Sequence, residues 1–109
     1  DNLDYTDGGI QIVNITDPSN PAPAGTISDG KVYELRGANS IATTTAGGKT
    51  YALVTSTVDD CLQITNITDP ANPSLAKSIA KTDAGYSKLE SPRGLTKIEI
   101  GGSTYAITA

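Results

Sequence analysis

A chain of 109 residues with no His, Phe, Trp or Met has no imidazole for acid–base or triad chemistry, and its core must come from aliphatic residues and Thr. Eight Lys and Arg against twelve Asp and Glu give a net charge of −4. The basic residues are scattered, which argues against a nucleic-acid partner, because phosphate binding needs clustered positive charge.

No stretch approaches the roughly 18 consecutive apolar residues of a membrane span, so no direct membrane insertion is expected. The start, Asp1-Asn2-Leu3-Asp4, lacks the basic-then-apolar pattern of a signal peptide and reads as the beginning of a processed chain or a fragment. Cys61 is the only cysteine, which excludes an internal disulfide and a Cys-based metal site. It is expected to be an inert small residue at the head of a strand, with an intermolecular thiol as the alternative.

The strongest signal is internal. Residues 8–21 (GGIQIVNITDPSNP) and 60–73 (DCLQITNITDPANP) share nine of fourteen positions at a spacing of 52. These are Gln11/Gln63, Ile12/Ile64, Asn14/Asn66, Ile15/Ile67, Thr16/Thr68, Asp17/Asp69, Pro18/Pro70, Asn20/Asn72 and Pro21/Pro73. After a two-residue insertion the spacing becomes 54, where Leu35 meets Leu89 and Gly47-Gly48 meets Gly101-Gly102. Thr50-Tyr51-Ala52 likewise meets Thr104-Tyr105-Ala106. A fixed period with variable segments between is the mark of a repeat architecture. The chain divides into one repeat over about 8–59 and a second over about 60–109.

Each repeat holds four β segments. In chain order these are 10–15, 22–28, 40–45 and 50–55 in the first, then 62–67, 74–80, 95–100 and 104–108 in the second. The β-branched content favours strands. The Asp-Pro-x-Asn-Pro run is a turn in which proline presets φ and the Asp carboxylate can accept a nearby backbone N–H. The Gly-Gly pairs supply the positive-φ positions of hairpins. Alternation is imperfect, as in Ile64-Thr65-Asn66-Ile67, and sheets covered on both faces would explain it.

The expected fold class is all-β, with two four-stranded antiparallel β-propeller-type blades in permuted order. With strands named A to D in blade order, the chain reads C-D, A-B-C-D, A-B: one whole blade between complementary half-blades. An unpaired strand edge invites pairing. The edge residues Ile10, Ile12, Ile15, Tyr105 and Ile107 are therefore expected to meet identical chains head to tail, as a ring or a filament, or neighbouring repeats of a longer chain. Two repeats cannot close a propeller, which typically takes about four to eight blades.

The run LQITNITDPANP, with the strand TYALV before it, resembles the LVIVD-repeat family of β-propellers. Both Gln-Ile-x-Asn-Ile-Thr-Asp-Pro-x-Asn-Pro stretches carry the likeness, which extends over nearly the whole chain and is closest to variants in long archaeal surface proteins. The segment between strands D and A is longer here. The resemblance implies a secreted or cell-surface location and no defined enzymatic activity.

Other features are weighed for chemistry. Asn14-Ile15-Thr16 and Asn66-Ile67-Thr68 are glycosylation sequons, or else strand terminators that organise the following turn. Asp1, Asp4, Asp7, Asp59 and Asp60 gather between strands B and C. They are either a calcium site, the one cofactor considered, or solvated turns. The long D-to-A segments carry Tyr33, Arg36, Tyr86, Lys88 and Arg93, which should share one face with the acidic residues as a ligand or partner surface, or simply cover the sheet ends. Glu34, Glu90 or the Asp cluster could in principle form a carboxylate pair, but no enzyme activity is expected.

Overall fold

The structure, a computed structural model, describes residues 8–28 and 35–109. These residues form eight strands and no helix. They are β1 (Gly9–Asn14), β2 (Ala22–Ser28), β3 (Ala38–Ala46), β4 (Lys49–Ser56), β5 (Cys61–Asn66), β6 (Ser74–Ala80), β7 (Leu95–Ile100) and β8 (Ser103–Thr108). All pairing is antiparallel, in sheets of two (β1-β2), four (β3-β4-β5-β6) and two (β7-β8) strands. The protein is thus all-β, with strand boundaries within two residues of those expected from sequence. Ile15 falls one residue past the end of β1.

Local chemistry accounts for the connections. At Gly47-Gly48 and Gly101-Gly102 φ lies between +58° and +84°, the region that glycine enters without a Cβ penalty, so β3-β4 and β7-β8 close as two-residue hairpins. After β1 and after β5 the chain makes the same turn twice. Asp17 Oδ1 accepts Ser19 N at 3.1 Å, and Asp69 Oδ1 accepts Ala71 N at 3.1 Å. Asn20 Nδ2 and Asn72 Nδ2 each donate to the respective Asp Oδ2 at 3.0 Å. One residue is bulged out of β2 between Gly25 and Pro23, where the register opposite Ile12-Val13 shifts. The same shift occurs 52 residues later, opposite Ile64-Thr65. Pro23, which lacks an N–H, is accommodated beside the bulge on an edge strand.

The central sheet is covered on both faces. In β4, successive side chains point to opposite sides. Val54 joins Ile10, Ile27 and Leu35 in one apolar cluster, with Ile12 packed against it, which places the β1-β2 sheet on that face. Tyr51 and Leu53, with Ile64 of β5, line a groove against Thr104 and Ala106 of β8, and Thr55 Oγ1 donates to Arg93 O at 3.4 Å just before β7. The β7-β8 sheet therefore covers the opposite face. Five consecutive residues, Ala52 to Ser56, are buried as a result, as expected of a strand buried on both faces. Gly25 of β2 sits so close to the turn after β5 that a Cβ there would lie 2.2 Å from Pro70 O.

Candidate interaction site: two open sheet edges and an anchored loop end

Among the described residues, no strand pairs with β1 on the side away from β2, or with β8 on the side away from β7. In the central sheet the repeat-equivalent strands, β4 for β8 and β5 for β1, are paired with each other. There β4 pairs β5 with Tyr51 opposite Asn66, Leu53 opposite Ile64 and Thr55 opposite Leu62. Beyond the ladder, Ile67 N donates to Thr50 O and Thr50 N donates to Thr68 Oγ1, both at 2.9 Å.

Equivalent residues differ sharply in burial. Leu53 is 6% exposed and its counterpart Ile107 is 51% exposed; Thr65 is 0% and its counterpart Val13 is 46%. Tyr105 and Ile15 also present large apolar area, at 50% and 67%. Of the edge residues expected from sequence, Ile15, Tyr105 and Ile107 are exposed, and Ile12 is half-buried. Ile10 is a core residue facing the central sheet. Val13, exposed beside them, carried no signal because Thr65 in the other repeat disguises it as a polar strand position.

The sequons sit at the strand ends. Asn14 is exposed at the end of β1 and Asn66 half-buried at the end of β5. In each, Oδ1 accepts the backbone N–H of the Thr two residues on, at 2.9 Å. The Asn-Ile-Thr triplet therefore has a structural role in both repeats: it ends the strand in an Asx turn.

At the other end of the strands the loops do gather. Asp59 Oδ1 accepts Arg36 Nε at 2.7 Å and Oδ2 accepts Arg36 N at 3.0 Å. Asp60 Oδ1 accepts Ser91 N at 2.7 Å, and its other oxygen lies 3.8 Å from Lys81 Nζ. The two carboxylates thus reach different loops and fasten them, rather than converging on one point. The described residues hold no group of three or more potential metal ligands. Asp1, Asp4, Asp7, Tyr33 and Glu34 lie outside the described residues. Tyr86 is exposed, whereas the repeat-equivalent leucines Leu35 and Leu89 are buried, Leu35 in the cluster with Ile10, Ile27 and Val54. Glu90 is 3.7 Å from Lys81 Nζ. Cys61 is fully buried at the head of β5. No helix among the described residues is long and apolar enough to cross a membrane.

No family model matches the chain, and no curated protein or solved structure is significantly similar to it.

Proposed function

We propose that this is a non-catalytic structural protein of the outside of the cell, whose three sheets are one whole and two half propeller-type blades, and which assembles head to tail through the halves. What carries the reading is complementarity. The β7-β8 sheet lacks the two strands that the β1-β2 sheet supplies, and the central sheet joins the same strand types in one piece. The two open edges lie on opposite faces of the central sheet, so they are not positioned to pair with each other within one chain. A second copy satisfies both, each junction being a strand addition in which backbone hydrogen bonds supply affinity and side-chain pairs supply selectivity. Heterologous contacts of this kind give a ring where the rotation closes and a filament where it does not.

The extracellular placement rests on the resemblance to LVIVD repeats and on the two sequons. Modification at Asn14 and Asn66 would decorate the strand ends rather than the core. The anchored loop end, with Asp59 and Asp60 already bonded to Arg36 and Ser91, supports a role in holding the sheets in register.

Light scattering coupled to size exclusion tests the proposal. The full chain should run as a defined multiple of its 11.2 kDa mass, and deletion of residues 105–109 should reduce it to single chains. A monomeric full chain at all concentrations would overturn self-assembly and direct attention to a longer parent chain that binds a ligand through its loop face. Full-size particles after the deletion would exclude β8 as the junction strand.

A further inference from the structure

Taking head-to-tail assembly as its basis, we infer that the junction has one register, set by a latch in which Thr16 of one copy accepts the Thr104 N–H of the next. The central sheet is the template. Its Thr50 N–H is outside the strand ladder and is satisfied by Thr68 Oγ1, while Ile67 N reaches Thr50 O. Carrying those positions over by repeat equivalence places Tyr105 opposite Asn14 of the second copy, Ile107 opposite Ile12, and Ala109 opposite Ile10. Thr104 then stands where Thr50 stands, with Ile15 N donating to its carbonyl. Ile15, one residue beyond β1, thereby belongs to the junction although it belongs to no strand in the single chain.

The latch is already built on the open side. Thr16 N donates to Asn14 Oδ1 at 2.9 Å, as Thr68 N does to Asn66 Oδ1. The following turns match as well, with Asn20 N to Asp17 O and Asn72 N to Asp69 O both at 2.9 Å. One turn has a neighbouring strand and the other has none among the described residues, yet they adopt the same bonds. The Thr16 backbone is consequently set by its own turn before any partner arrives, which reduces the ordering cost of association. A latch of this kind also has a use. Strands Gln11–Asn14 and Tyr105–Thr108 offer apolar residues at several alternate positions, and a slip of two residues would keep every side chain on its face. Only one register brings Thr104 N to Thr16 Oγ1, and any other leaves Ile107 off Ile12.

Leu53 and Ile64, the counterparts of Ile107 and Ile12, are a non-hydrogen-bonded pair by the ladder phase that Ile67 N to Thr50 O sets. Such pairs bring the Cα atoms to about 4.5 Å, within disulfide reach. The double variant Ile12→Cys, Ile107→Cys is expected to assemble when reduced and to yield a ladder of covalent multimers on mild oxidation, with neither single variant doing so beyond a dimer. The slipped pair, Ile12→Cys with Tyr105→Cys, is expected to give none. Crosslinking of the slipped pair in preference would overturn the register while leaving assembly standing. Reduced double variant and wild type that are both monomeric by light scattering would overturn assembly itself. Independently, Thr16→Val removes the acceptor at constant shape. It should raise the concentration for half-assembly about fivefold, the weight of one ordinary hydrogen bond, with Thr16→Ser restoring it and Thr68→Val leaving it unchanged. Equal assembly of Thr16→Val and wild type would remove the latch from the account.

Discussion

The central sheet and the two end sheets are built from nearly the same residues and have opposite fates. Gln63 and Thr65 are fully buried in β5, where Gln63 Nε2 donates to Thr65 Oγ1 at 3.1 Å. Gln11, the same residue one repeat earlier, is exposed, and its amide turns back to Ile12 O and Gly25 O. β4 is buried over five consecutive residues, whereas β8 is exposed almost throughout. The difference teaches that burial in a repeat protein belongs to the position in the stack and not to the segment. A strand is core only when a sheet lies on each face and a strand on each edge.

Substitution in equivalent places should break this comparison most visibly. Leu53→Ala removes a buried side chain between two sheets and should cost about 3 kcal/mol in urea melts. Ile107→Ala, measured at dilutions where chains are single, should cost no more than roughly 0.5 kcal/mol. Equal costs would mean that the β8 edge is already covered in the single chain. Next in size, Gly25→Ala places a methyl against Pro70 O and should destabilise by about 2 kcal/mol or more by pushing β2 off the central turn. Gly47→Ala, at φ +58° with open space around it, should cost about 1 kcal/mol from backbone strain alone. Thermal melts that rank the two the other way would contradict the packing of β2 on the turn after β5.

The loop end gives a smaller contrast. Asp59→Ala loses both bonds to Arg36 and should lower stability by about 1–2 kcal/mol, with Asp59→Asn recovering part of it. A loss that appears only when calcium is present would instead revive a metal role for this acidic pair. Smallest of all, Ser56 Oγ is buried with no hydrogen-bond partner among the described residues. Ser56→Ala should therefore be neutral or stabilising by up to about 1 kcal/mol, and a clear loss in the melting midpoint would indicate a partner for that hydroxyl.

Much of the fold was legible because its signals are local. The Asp-Pro-x-Asn-Pro turn and the Gly-Gly hairpins depend on φ values and side-chain bonds spanning two or three residues, so they mark strand ends wherever they occur. Leu35 and Leu89, seen only as a repeat match, are both buried. The site was legible in part. That β1 and β8 would have open edges follows from strand order; within edge strand β1 it is the side chain of Ile10 that faces Val54 in the core. No pattern in a strand tells which alternate residue faces the neighbouring sheet when both faces of the stack are apolar. Asp59 and Asp60 read as a cluster because they are adjacent, and only the paths of two distant loops decide that one binds Arg36 and the other Ser91.

The amino-acid sequence by itself determined that the chain would be antiparallel β, where its hairpins turn and which strands are equivalent, since turn chemistry and β-branched periodicity act over a few residues. The tertiary structure alone decided which copies of those equivalent strands are core and which are surface. That outcome rests on sheets stacking face to face between segments far apart in the chain, as Ile10 packs with Val54, which local preference does not encode. The same stacking sets the β1-β2 and β7-β8 sheets on opposite faces of the central sheet, so that their open edges do not meet each other.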